Sequence, residues 1–186
     1  MDLVSYINKY LPNKLDLEEK VNLVFRKEVH PKGKILLLPG RLSNKMIFIE
    51  KGLIRAYYVK DGKEITHLFF EENDFSAPIE SIFYNKPSRY GWEVLNDTTI
   101  RVLNYIDFEQ LLIDIEGMER FVRMIFINTL KLTSDRLYSL QFQTAEDRYK
   151  FMMQEHPNII LRAPLGHIAS YLGITQQTLS VIRGKK

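Results

Sequence analysis

Between Pro31 and Leu103 the sequence alternates short β-prone runs with turn-forming pairs such as Pro39-Gly40, and this alternation constrains the fold most strongly. The runs are 35–38, 46–49, 53–59, 65–70, 92–95 and 99–103. Strands that recur this regularly predict a closed roll or a sandwich. Asp61-Gly62 is the clearest single turn, because Asp and Gly suit the positive φ angles of a tight hairpin.

Helical patterns flank the predicted strands. Before them, Asp16 with Glu19 three residues later has the spacing of a capping box, and predicts the start of a helix. After them, the sequence has no Gly or Pro from Met118 to Leu140, which predicts a helix of roughly 35 Å.

The long helix is apolar on more than one face, so it requires more than one partner. We expect one face to cover the β-roll and another to pair with the same helix of a second subunit in a two-fold dimer. The alternative is a single helix buried within a larger monomeric core.

Composition excludes several classes of protein. The chain of 186 residues has no cysteine, and therefore no disulfide, thiolate zinc site or cysteine-bound iron–sulfur cluster. The N-terminus lacks the pattern of a secretory signal and no run is long enough to span a membrane, so a cytoplasmic protein without membrane contact is expected. From Ala145 onward six basic residues accompany three acidic ones, so this part supplies the whole net charge of +3. That excess indicates, weakly, a polyanionic partner.

The segment from Leu165 to Arg183 has the pattern of two short helices. Ile168, Ala169 and Leu172 place an apolar stripe on the first helix, Gly173 suits a C-terminal cap, and Thr175 suits the N-cap of the second. A short turn with Gly and a small residue at the crossing is typical of a helix-turn-helix.

The outward face of the second helix carries side chains that suit DNA. Glutamine can bind the edge of adenine in a bidentate manner, Ser and Thr can reach bases or phosphates, and Arg and Lys can neutralise phosphates. The predicted DNA contacts are Thr175, Gln176, Gln177, Thr178, Ser180, Val181, Arg183, Lys185 and Lys186. The alternative is a helical hairpin whose polar exterior is an ordinary solvated surface.

Catalysis has no candidate residues in this sequence. A β-roll could belong to a cupin-like metal enzyme, but His30, His67, His156 and His167 are not paired at ligand spacing. A nucleophile elbow and a phosphate-binding glycine loop are also missing. We therefore predict no enzyme activity, no catalytic residue, no metal site and no cofactor.

The chain as a whole resembles the Crp/Fnr family of bacterial regulators, and within it the short members common in Bacteroidetes. The resemblance is carried by 31–33, 48–55, Tyr58, 61–64, 72–75, 107–108, 145–149 and above all 165–183. It implies an α+β fold with a double-stranded, jelly-roll-like β-roll of the cyclic-nucleotide-binding type (1–115), a long dimerisation helix (116–142) and a small helix-turn-helix domain (143–186). The implied partners are double-stranded DNA, a second copy of the chain, RNA polymerase and a small-molecule effector.

Two departures from the family modify these expectations. Members that bind cyclic AMP carry a Gly-Glu pair and an Arg-Ser or Arg-Thr pair, whereas the matching segments here offer only displaced counterparts. The predicted effector-pocket residues are Glu80, Ser81, Ser88 and Arg89. Pro78 lacks a backbone N–H where a phosphate cradle needs one, so tight binding of cyclic AMP is not expected. Val181 stands where relatives place an arginine, which predicts a different operator or weaker discrimination.

The sequence thus predicts a Crp/Fnr-type transcription regulator that reads a near-palindromic operator as a homodimer. The alternative is a ligand-binding β-roll module whose C-terminal helices are structural and do not bind DNA.

Overall fold

The computed structural model describes residues 1–184; Lys185 and Lys186, two of the predicted DNA contacts, lie outside the described residues. The strands are β1 Arg26–His30, β2 Ile35–Leu37, β3 Lys45–Lys51, β4 Ile54–Lys60, β5 Lys63–Phe70, β6 Phe75–Ser76, β7 Gly91–Val94 and β8 Thr98–Asn104. The helices are α1 Leu3–Asn8, α2 Leu17–Val24, α3 Ile79–Tyr84, α4 Tyr105–Asp114, α5 Met118–Phe142, α6 Ala145–Glu155, α7 Pro157–Arg162, α8 Leu165–Tyr171 and α9 Gln176–Gly184.

Two four-stranded antiparallel sheets form the roll, in the orders β1-β8-β3-β6 and β2-β7-β4-β5. Ile49, Ile54, Val94 and Ile100 are almost completely buried between them. The predicted α+β fold with a β-roll is confirmed. Each predicted run coincides with a strand, whereas β1, β6, α3 and α7 were not predicted. β1 carries charged side chains and pairs with β8 alone, so it lacks the apolar run of a central strand.

The hairpin between β4 and β5 turns at Asp61-Gly62, as predicted. Both residues have positive φ, 51° and 72°. The register of the hairpin shifts once: Ala56 pairs with Leu68 and Tyr57 pairs with Thr66, so His67 is the extra residue of a β-bulge. A bulge bends its strand and re-aims the side chain at that position.

The N-terminal helices differ from the prediction in one detail. Asp16 occupies the N-cap position of α2, but its φ is 61° and its side chain forms no capping hydrogen bond, so the predicted capping box is wrong. The left-handed backbone removes the extended geometry that capping needs. The observed cap belongs to α1, where Asp2 accepts a hydrogen bond of 2.9 Å from the Ser5 N–H.

α5 is a continuous helix of 25 residues, about 37 Å long. Met118 and Phe121 are buried against the roll, which confirms that one face covers it. Val122 and Ile125 are partly buried beside them. Nine further apolar side chains are exposed to solvent, namely Met124, Phe126, Ile127, Leu130, Leu132, Leu137, Tyr138, Leu140 and Phe142. Within residues 1–184, α5 and the other helices all lack the length and apolarity required to cross a membrane.

The four C-terminal helices share a hydrophobic core with three residues of the roll. Leu53, Phe69 and Leu95 contribute from the roll. Tyr149, Met152, Ile159, Ile168, Ala169, Leu172 and Leu179 contribute from α6–α9. The predicted boundary at residue 143, between the dimerisation helix and the helix-turn-helix domain, remains a prediction. The shared core contains residues from both sides of it.

Candidate nucleic-acid interface and sensor cavity

α8 and α9 form a pair of short helices joined by a tight turn. The turn is a Schellman motif, in which the Ile174 N–H donates to the Ala169 carbonyl (3.0 Å) and the Gly173 N–H donates to the Ser170 carbonyl (3.1 Å). Gly173 has a φ of 69°, which only glycine adopts at low cost. Thr175 caps α9 by accepting a hydrogen bond of 3.1 Å from the Thr178 N–H.

The two faces of α9 differ sharply. Leu179 is completely buried on the inner face. The described DNA-contact candidates are all exposed, namely Thr175, Gln176, Gln177, Thr178, Ser180, Val181 and Arg183. Gln176 differs from its neighbours because its side chain lies against Gly166 of α8, in a space that any Cβ at Gly166 would enter. The Gln176 side chain therefore packs between α8 and α9. The amide of Gln177 is the more available of the two for contact with DNA.

Polar contacts attach the helix pair and the preceding helix α7 to the roll. Arg55 Nη1 lies 3.1 Å from His167 Nδ1, and the Thr66 N–H donates to Ser170 Oγ at 2.9 Å. Arg162 donates to both carboxylate oxygens of Glu72, at 2.8 and 3.0 Å. We call this set, together with the His156–Glu71 pair, the docking contact. The bidentate Arg–carboxylate pair is the strongest type in it.

His156 and Glu71 add an ionisable pair to the docking contact. His156 Nδ1 lies 3.0 Å from Glu71 Oε1, and both side chains are mostly buried. The hydrogen bond to Glu71 raises the pKa of His156 above its usual 6.5, although burial opposes this effect. The charged pair therefore stabilises the docking contact fully below about pH 6.5, and this contribution is lost as pH rises through the raised pKa.

Substitution of His156 tests this charge effect. His156→Gln retains a hydrogen-bond donor toward Glu71 but cannot become protonated. We expect the wild type to unfold about 2–4 °C above the variant at pH 6, a difference of about 1 kcal/mol, and the gap to shrink toward pH 9. Differential scanning calorimetry across this range measures it, and Glu71→Gln is expected to remove the same pH dependence. A gap that is constant with pH would show that the imidazolium charge contributes nothing.

Two arginines connect the long helix and α6 to the helix pair. Arg136 of α5 donates to the Tyr171 carbonyl at 2.9 Å, and its guanidinium lies 3.8 Å from the centroid of the Tyr171 ring. Arg148 of α6 donates to the Leu172 carbonyl at 2.9 Å. Both acceptors belong to the last turn of α8, where helix carbonyls need partners. The two arginines therefore join α5 and α6 to the end of α8.

A cavity of about 260 Å³ lies between the roll, α3 and α5. Its lining is almost entirely apolar and includes Phe70, Trp92, Phe121 and Ile125. Among the predicted effector-pocket residues, Glu80 and Ser88 line the cavity, whereas Ser81 and Arg89 do not belong to the lining.

Local hydrogen bonds explain this division of the pocket residues. Ser81 Oγ is occupied with the Lys86 carbonyl at 3.0 Å. Arg89 bonds Glu80 at 2.5 Å, with 78% of its side chain exposed.

Among residues 1–184, no group of three or more His, Asp or Glu side chains is placed to hold a metal ion.

Residues 27–114 match the family model of the cyclic nucleotide-binding domain. Over these residues the β-roll is similar to that family. Within the matched segment, Pro78 is the N-cap residue of α3 and forms no side-chain cap. Glu80 is occupied by its pair with Arg89, so the acidic and basic side chains of this segment neutralise each other.

Solved structures extend the similarity beyond the cyclic nucleotide-binding domain. FixK2 from Bradyrhizobium japonicum is similar with a TM-score of 0.73 at 18% identity, covering 87% of this chain and 84% of that one. A CooA mutant from Carboxydothermus hydrogenoformans gives 0.73 at 22%, covering 95% and 82%. The c-di-GMP responsive global regulator CLP from Xanthomonas campestris gives 0.70 at 14%, covering 90% and 89%. The chain therefore has the fold of Crp/Fnr-type regulators. No curated protein sequence matches it.

His67 and Tyr90 are site residues that sequence reasoning did not assign to the cavity. Their rings stack at a centroid distance of 4.5 Å and an angle of 14°, and both line the cavity. No other histidine stands at ligand spacing from His67 in the sequence. The bulge that directs its ring depends on pairing with β4 and has no signature in β5 alone.

Proposed function

We propose that this protein is a DNA-binding transcription regulator of the Crp/Fnr type. The proposal rests on the two faces of α9. This capped helix buries its inner face and exposes Gln, Thr, Ser and Arg side chains on its outer face. Such a face fits the major groove, where Gln177 can bind adenine and Arg183 can bind phosphate.

The regulator is proposed to act as a homodimer. The support is the exposed apolar side of α5, whose Leu130 is 71% exposed in the single chain. A contiguous apolar face of this kind marks an interface, and a two-fold axis along α5 would bury it in both copies. Two α9 helices would then enter successive major grooves roughly 34 Å apart on a near-palindromic site.

The proposal places the regulator in the cytoplasm, with RNA polymerase as a further partner. An effector in the cyclic nucleotide-binding domain would act through α5 and Arg136 on the helix pair. The three parts 1–115, 116–142 and 143–186 would serve as sensor, dimerisation helix and DNA-binding unit.

The second candidate is a ligand-binding module in which the C-terminal helices are structural. The core shared by α6–α9 and the roll favours it, because helices that complete a core need no other role.

Selection of operators from random duplex DNA at near-physiological salt distinguishes the two candidates. The regulator is expected to enrich a near-palindrome with half-sites about one helical turn apart. Gln177→Ala is expected to lower specific affinity by about 5- to 150-fold, which corresponds to about 1–3 kcal/mol for a bidentate base contact, and to change non-specific binding little. Arg183→Ala is expected to weaken both.

Gln154→Ala provides the matched control, since Gln154 is an exposed glutamine on α6. It is expected to leave both affinities unchanged. If no sequence is enriched, or if Gln177→Ala and Gln154→Ala behave alike, the structural-module alternative replaces the regulator.

A further inference from the structure

The cavity in the cyclic nucleotide-binding domain has the size of a small ligand. A cavity of 150 Å³ lined by aliphatic and aromatic side chains holds one benzene ring. The present volume of about 260 Å³ therefore admits a molecule of roughly ten to twelve heavy atoms, such as two fused rings.

Flat aromatic side chains contribute much of the cavity lining. Phe70, Phe83, Tyr90 and Trp92 all belong to it. Aromatic walls favour a planar or ring-containing ligand, because offset and edge-on ring contacts add to burial. Trp92 is the only tryptophan of the chain and is 5% exposed, so its emission reports on this cavity alone.

The lining lacks the positive charge that an anionic ligand would need. Within the described chain the lining contains no Lys or Arg, and its one acid, Glu80, is already paired with Arg89. A carboxylate or a cyclic phosphate would therefore be buried without a cation, which costs several kcal/mol. An uncharged ligand avoids that cost.

His67 is the one ionisable nitrogen base in the described lining of the cavity. His67 is the bulge residue of β5, and its ring nitrogens have no hydrogen-bond partner among residues 1–184. Burial, with the nearby Arg136 charge, lowers the pKa of His67 below its usual 6.5, so the imidazole is neutral at pH 7. A neutral imidazole offers one donor and one acceptor to a ligand hydroxyl, carbonyl or ring nitrogen.

We propose that the cavity binds an uncharged, ring-containing molecule of about ten to twelve heavy atoms, whose single hydrogen-bonding group meets the ring of His67. Only the consequence of binding, a shift of α5, rests on the proposed function. Binding itself is measured without DNA, so either claim can fail while the other stands.

The test uses 2-naphthol, which has eleven heavy atoms and one hydroxyl, as the probe for the full chain. Isothermal titration calorimetry at pH 7 is expected to give a 1:1 complex with micromolar affinity, and 2-naphthol is expected to quench Trp92 emission. Its charged analogue 2-naphthoate, and cyclic AMP, are expected to bind at least tenfold more weakly.

Variants localise the site. His67→Phe retains the ring and the stack on Tyr90 but removes both hydrogen-bonding atoms, and is expected to weaken 2-naphthol about three- to tenfold, the range of one neutral hydrogen bond. His67→Gln is expected to restore part of that loss. Ala77→Leu adds volume to the lining and is expected to abolish quenching of Trp92. His30→Phe, outside the lining, is the control and is expected to change nothing.

Thermal midpoints of all four variants check that each one is folded before binding is compared. Failure of 2-naphthol to bind or to quench Trp92 at millimolar concentration would overturn the proposal. Tighter binding of 2-naphthoate or cyclic AMP, or equal effects of His67→Phe and His30→Phe, would overturn it as well.

Discussion

Arg55→Met is expected to lower the free energy of unfolding by about 3–5 kcal/mol, the range for removing one partner of a buried ion pair. The Arg55 side chain is 3% exposed and bonds Glu93 at 2.5 Å, with Glu64 as a second carboxylate partner. Methionine fills similar volume but leaves Glu93, which is 21% exposed, without its cation.

The same substitution is expected to loosen the docking contact, because Arg55 also meets His167. Hydrogen exchange of the α8 amides is expected to accelerate in Arg55→Met. Arg89→Met is the matched control: Arg89 is 78% exposed in its pair with Glu80, so its removal is expected to cost less than about 1 kcal/mol. Urea unfolding measures both variants. Equal losses would mean that burial adds nothing to the Arg55 network.

Leu179→Ala is expected to cost about 2–5 kcal/mol, the range for truncating a buried leucine. Leu179 is completely buried in the core that joins α6–α9 to the roll. The void is expected to release α9, so that specific DNA binding is lost together with amide protection in α8 and α9.

Val181→Ala tests whether the loss of stability in Leu179→Ala results from the burial of the side chain rather than from a change in helix propensity. Val181 lies on the same helix and is 61% exposed, so this truncation is expected to change stability by less than about 0.5 kcal/mol. Urea unfolding and hydrogen exchange compare the two variants. If Leu179→Ala retains native protection in α9, the shared core does not hold the helix pair.

Local patterns in the sequence predicted most of the elements correctly. The hairpin turn at Asp61-Gly62, the continuous α5 and the turn at Gly173 each depend on residues within one short segment. The same locality explains the failure at Asp16: the carboxylate has the right spacing to Glu19, but spacing does not specify the backbone φ that capping requires.

By itself, the sequence determined the order of the predicted strands and helices, the apolar inner face of α9 and its polar outer face, because hydrophobic periodicity and turn residues act over a few positions. Only the tertiary structure decided which groups meet across long separations. His67 joins the cavity lining at a bulge against β4, Arg55 contacts His167 across 112 positions, and Arg89 pairs with Glu80 but does not line the cavity. Such encounters depend on how the sheets and helices pack together, and no single segment of the chain encodes them.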